Sequence, residues 1–135
     1  TAEQSINRII DVCPSGQQSQ IRAQLSFVLQ GVHSQMLLPR ADGPGRAMAC
    51  EAMVPNVAIR NLIREDKVHQ MYGIMQTGQG TSGMQTMNQS LLHLVAHGAI
   101  DREIAEIRSP EPDEMRQMLM NLDRKGYQQA IRTGG

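Results

Sequence analysis

At 135 residues the chain is the size of one ordinary domain or of a substantial piece of a larger one, long enough to bury roughly two-thirds of its unfolded surface. Thirteen basic residues balance thirteen acidic ones, and with one Phe, two Tyr and no Trp there is neither a basic surface nor a set of stacking platforms, so nucleic acid is not an expected partner. No apolar run approaches the ~20 residues that cross a bilayer, and TAEQSINRII has no signal-peptide pattern, so membrane insertion is not expected either.

Residues 2–12 read as a helix on the stripe Ile6, Ile9 and Ile10, ended by Pro14, because a residue preceding proline avoids the α region. The chain opens on Thr1 in mid-helix style, which reads as a piece of a longer protein. Ser15 is placed to cap a second helix through about residue 30, with Ile21, Leu25, Val28 and Leu29 on its stripe and Gly31 as its stop. From Val32 the period changes to two. Residues 32–40 and 46–54, joined by the turn cluster ADGPG, predict a β-hairpin. A two-stranded unit is marginal alone and must lean on helices or on strands supplied elsewhere.

After Pro55 the pattern is helical almost to the end. Asn56 can cap AIRNLIRE, and Asp66 is a candidate cap for a helix over 67–76 carrying Val68, Met71, Tyr72 and Met75. The loop TGQGTSG separates it from a helix over 84–97. Gly98 and Asp101 break and restart the chain for a short helix holding Ile104 and Ile107. Pro110 and Pro112 precede a last helix over 115–122, and 123–135 reads as a flexible polar tail. With ten Met and so few aromatics, packing rests on aliphatic side chains and methionine.

Several strings invite a chemical reading. GQGTSG, residues 78–83, matches GxGxxG, but a dinucleotide site needs a strand before it, and here a helix precedes. It also lacks the GK[ST] ending of a phosphate-binding P-loop, which occurs nowhere in the chain. His93 and His97 form HxxxH on one helix face, yet Leu94 stands where a zincin carries its general base, and no third ligand is near in sequence. No metal site is expected. Nor do His33 and His69 have a sequence-local nucleophile or carboxylate partner. Cys13 and Cys50 lie in unlike contexts without a CxxC, and read as small buried thiols of a reducing compartment.

AIRNLIREDK crowds five charged residues beside the apolar stripe Ile59, Leu62 and Ile63, with Arg60 and Arg64 one turn apart. Such like charges repel by roughly 0.2–0.5 kcal/mol on an isolated helix. Asn61 and Glu65, at i,i+4, are placed to interact. Spacing alone favours a solvated helix face over a working surface.

AIRNLIRE closely resembles the signature of the PilT family, the type IV pilus retraction ATPases of the secretion-ATPase superfamily. The likeness extends through INRIIDVCPSGQQSQIRAQLS, QGVHSQMLLPRADGPGRAMACEAMV and DKVHQMYGIMQTGQGTSGMQTMNQSL, so that it covers residues 1–122. Departures are mild: Cys13 replaces an aromatic common there, and Asn56-Val57 stand where Thr-Pro is frequent.

The resemblance implies an α/β, mostly α fold: the C-terminal part of a RecA-like P-loop ATPase domain. Residues 1–54 would complete the ATPase core, 55–122 would be a helical C-terminal subdomain and 123–135 the tail. It implies an ATP-driven ring, a homohexamer at the cytoplasmic side of the inner membrane, meeting the pilus platform protein and using ATP and Mg2+ through motifs that lie ahead of Thr1. None of that nucleotide is expected to bind this chain alone, and no catalytic residue is expected in it. The retraction motif would be Ala58, Ile59, Arg60, Asn61, Leu62, Ile63, Arg64 and Glu65. On this basis Arg60, Asn61, Arg64 and Glu65 are expected to form a polar surface that transmits motion. The alternative is a stand-alone, non-catalytic helical interaction module.

Overall fold

The computed structural model describes residues 1–78 and 82–133. In chain order these form α1 (Ala2–Asp11), a 3-10 turn (Ser15–Gln17) running into α2 (Gln18–Val28), β1 (Val32–Pro39), β2 (Arg46–Met53) and α3 (Val57–Arg64). A second 3-10 turn (Val68–Gln70) leads into α4 (Met71–Thr77), followed by α5 (Met87–Ala96), α6 (Arg102–Arg108) and α7 (Pro112–Thr133). The strands form a two-stranded antiparallel sheet, with Arg40 N donating to Gly45 O at 3.3 Å across the turn. The expected hairpin is therefore present. Contacts divide the chain into two compact units, Thr1–Gln35 with Cys50–Thr86, and Met36–Ala49 with Met87–Gly135, so the hairpin contributes to both.

In the first unit, Thr1 closes a capping box on α1: its hydroxyl accepts from Gln4 N at 3.2 Å, and Gln4 Oε1 accepts from Thr1 N at 3.2 Å. Ile6 and Ile10 point into the core, whereas Ile9, third member of the expected stripe, is 45% exposed. They pack with Met53, Ile59, Ile63 and Met71. Glu51 lies on the inward face of β2 among Ala47, Ala49 and Met53, and is itself buried. Its Oε1 accepts from Ala2 N at 2.6 Å, placing an acceptor on a first-turn N–H that the helix itself leaves unpaired.

The second core gathers Leu38 and Ala47 from the hairpin with Leu91, Ile100, Ala105 and Met115. α5 ends in a Schellman turn at Gly98 (φ 72°), where Gly98 N donates to Val95 O and Ala99 N to Leu94 O. Buried Asn88 fastens α5 to the start of α7. Its amide donates to Glu111 O (3.0 Å) and Glu114 Oε2 (2.7 Å), and its carbonyl accepts from Ser109 Oγ (2.5 Å). Met53, Met71, Met75, Met84, Met87 and Met115 are buried, so most of the methionines are core, as their aliphatic character suggests.

Several boundaries differ from those the sequence suggests. α2 ends at Val28 rather than near residue 30, because Leu29 adopts extended backbone (ψ 124°). Its buried face is marked by Ser26, and Val28 is exposed. α5 begins at Met87, not Met84, since Gln85 is engaged in an antiparallel bridge to Ala52 with both N···O distances 2.9 Å. The last helix starts at Pro112, a favourable first position, and continues to Thr133 through the segment read as a polar tail.

Candidate functional site

α3 starts where Asn56, in extended backbone, accepts Ile59 N on its Oδ1 at 2.9 Å. Ile59 and Ile63 are fully buried, and Leu62 packs partly buried against the same core. The apolar stripe is thus an anchor, as expected. Its polar residues divide between two environments.

Arg60 turns toward α2. Its Nη1 donates to Ser26 O at 2.7 Å and Leu29 O at 3.1 Å, with Phe27 O at 3.4 Å. Ser26 and Phe27 lie in the last turn of α2 and Leu29 caps it, where intrahelical donors run out, and a cation there also favours the helix dipole. Arg64, by contrast, is exposed, and its Nη2 donates to Asn61 Oδ1. Asn61 therefore pairs with Arg64 through its side chain, while its backbone carbonyl accepts from Glu65 N at 3.0 Å. Glu65 Oε2 lies 3.5 Å from Lys67 Nζ, both side chains about half exposed.

α3 closes with a second Schellman turn: Asp66 N donates to Ile63 O (3.4 Å) and Lys67 N to Leu62 O (2.8 Å). Asp66 occupies the left-handed position (φ 58°) that glycine usually fills. It is accordingly the end of α3 rather than the start of the next helix, for which it supplies no side-chain cap. Its carboxylate lies 3.2 Å from the buried Nε of Arg22 on α2, which has no hydrogen-bond partner, so the pairing is one of charge. Arg60 and Arg22 thus tie the two helices at separate points.

The remaining candidates resolve as follows. Gly78 follows α4, not a strand, and its carbonyl accepts from both Ser82 N (3.1 Å) and Ser82 Oγ (2.9 Å), while residues 79–81 of the GxGxxG string lie outside the described residues. The His93 and His97 rings are exposed with centroids 4.1 Å apart, and His97 Nδ1 is 2.8 Å from His93 O. Among the described residues no group of three or more His, Cys, Asp or Glu is arranged to hold a metal ion. Cys50 Sγ is 3.8 Å from His33 Nδ1, and Cys13 Sγ is 3.6 Å from Ile9 O. Neither thiol is fully buried, contrary to the simplest reading of the sequence. At the hairpin turn Arg40 grips Asp42 with two bonds of 2.7 and 2.8 Å, and this hydrogen bonding holds the Asp42 carboxyl below the usual range.

Sequence reasoning missed the Glu51 cap and the two arginine ties. Glu51 left a signal: an acidic residue at an inward register position between Ala49 and Met53. Arg60 left none, since its acceptors are backbone carbonyls more than thirty positions away.

The chain matches no protein-family model. It is 46% identical over 114 residues to the "Twitching motility protein" of Neisseria gonorrhoeae, covering 84% of this chain and 30% of that relative. It is 47% identical over 113 residues to the type IV pilus retraction ATPase PilT of Pseudomonas aeruginosa, covering 84% of this chain and 32% of that protein. The crystal structure of the pilus retraction motor PilT with bound ADP superimposes with a TM-score of 0.74 at 47% identity, over 85% of this chain and 31% of the motor. This chain therefore spans about a third of the length of the relatives it matches. Over that matched stretch it is a homologue of the PilT pilus retraction ATPases, with the mostly helical, hairpin-bearing fold of the C-terminal part of their ATPase domain.

Proposed function

We propose that this chain is the C-terminal segment of an ATP-driven motor, a hexamer when assembled, that powers type IV pilus retraction and twitching motility. One observation carries the reading: the chain is 46% and 47% identical to two pilus-retraction relatives over 114 and 113 residues, and within that stretch AIRNLIRE falls on a helix whose Ile59 and Ile63 are sunk in the core while Arg64 and Glu65 are exposed. A helix so anchored moves with the body beneath it and presents its polar side to whatever lies beyond. Residues 1–54 would complete the ATPase core and 55–122 form the helical part. ATP and Mg2+ would be held by the rest of the parent protein, because no P-loop string occurs in these 135 residues. The chain would then transmit motion rather than hydrolyse ATP. The parent would work at the cytoplasmic side of the inner membrane, against the pilus platform protein. Among the described residues, no helix is long and apolar enough to cross a membrane.

The test is the coding sequence upstream of Thr1. A Walker A loop and an acidic Walker B segment in the same reading frame are expected. An initiation codon directly before Thr1, with a chain that is monomeric and stable alone, would favour the stand-alone interaction module.

A further inference from the structure

We propose that Arg60 is a positioning residue: it locks α3 onto the C-terminal carbonyls of α2, so that the two helices move as one lever and displacement of the retraction motif is delivered at residues 26–29. The inference rests on the motor reading above and names the route by which motion leaves the motif.

A lever needs joints that hold under load. α2 makes its last helical bond from Leu29 N to Leu25 O, after which its terminal carbonyls need outside donors. Arg60 Nη1 lies within hydrogen-bonding distance of Ser26, Leu29 and Phe27 carbonyls, at 2.7, 3.1 and 3.4 Å. All three contacts come from the one terminal nitrogen, so a single guanidinium N–H₂ group serves the carbonyls where α2 ends.

A single joint lets two rods pivot. Here a second contact stands about one turn further back on α2, where Arg22 pairs at 3.2 Å with Asp66 just beyond α3. Two contacts about a turn apart oppose pivoting where one would allow it. Leu25 of α2, and Leu29 just beyond it, pack partly buried on the cluster that holds Ile59 and Ile63. The output end is short. After Leu29 only residues 30–31 separate the lever from β1 at Val32. Arg64, on the outer side of α3, takes no part in either tie.

The test uses the intact parent motor carrying Arg60→Ala, Arg60→Lys or Arg64→Ala, with thermal stability, ATP hydrolysis and pilus retraction measured on each. Arg60→Ala is expected to hydrolyse ATP within about twofold of wild type while retraction per ATP falls more than about threefold, the scale of a lost coupling contact. Arg60→Lys, which keeps a charged donor group on a shorter stem, should fall between the two. Wild-type retraction per ATP in Arg60→Ala overturns the proposal, as does parallel loss of hydrolysis and retraction, or Arg60→Lys no better than Ala. Should Arg60→Ala not fold, Arg60→Lys decides alone: reduced retraction per ATP supports the lever and wild-type coupling refutes it. Arg64→Ala separates the two levels. If it uncouples while Arg60→Ala does not, only the lever fails; if neither uncouples, the motor assignment of the motif fails with it.

Discussion

Arg60 and Arg64 are the same residue type one turn apart on the same helix, and their surroundings give them different work. Arg60 turns a terminal nitrogen to the end of α2, and among the described residues Arg64 bonds within its own helix, to Asn61. Replacing Arg64 by Ala should therefore shift stability by less than about 0.5 kcal/mol, the usual range for a surface position, read by denaturant unfolding. Asn56 is another matter. Its carbonyl satisfies Ile59 N, and Asn56→Ala should cost about 1 kcal/mol in the same measurement. At the hairpin turn, Asp42 titrates below the usual carboxylate range because Arg40 hydrogen-bonds its ionised form. A depressed carboxylate contributes above its unfolded pKa, and the contribution is lost as pH falls through the folded value. In Arg40→Ala the Asp42 midpoint should move upward, as followed by carboxyl NMR. An unmoved midpoint would rule out Arg40 as the cause.

Elements were legible wherever a local signal ended them. Pro14 and Gly98 closed helices as their backbone preferences dictate, and ADGPG closed the hairpin. Errors arose where a distant partner decided. Gln85 belongs to a bridge with Ala52, so α5 could not begin where its periodicity begins. Asp66 looks like a helix start because Asp is a good cap, yet Arg22 and the Schellman bonds make it a helix end. The end of α7 is a different case, a local signal passed over: residues beyond Leu122 include good helix formers, Arg, Lys, Gln and Ala, despite Gly126. At this scale the anchor of α3 is the clearest prediction. Ile59 is fully buried, so Ile59→Ala should cost about 2–5 kcal/mol. Asn88→Ala should cost about 1–3 kcal/mol by stripping a partner from Ser109 and Glu114. Both are read as shifts in unfolding midpoint.

For the molecule as a whole, the likeness to pilus retraction ATPases was legible in wording rather than in physics. Spacing alone left AIRNLIRE an ordinary charged helix face, and only the likeness on both sides of it pointed to a retraction motor. The geometry narrows that reading. The exposed residues are Arg64 and Glu65, with half-buried Asn61 bonded to Arg64, while Arg60 faces the body of its own unit. No contact pattern of one residue type with another could have announced this, since backbone carbonyls carry no sequence signature. The most direct measurement of the central claim is ATP hydrolysis and pilus retraction recorded side by side for the intact parent protein bearing Arg64→Ala. The account predicts hydrolysis near wild type with retraction lost. Normal retraction, or hydrolysis lost in step with retraction, would contradict it.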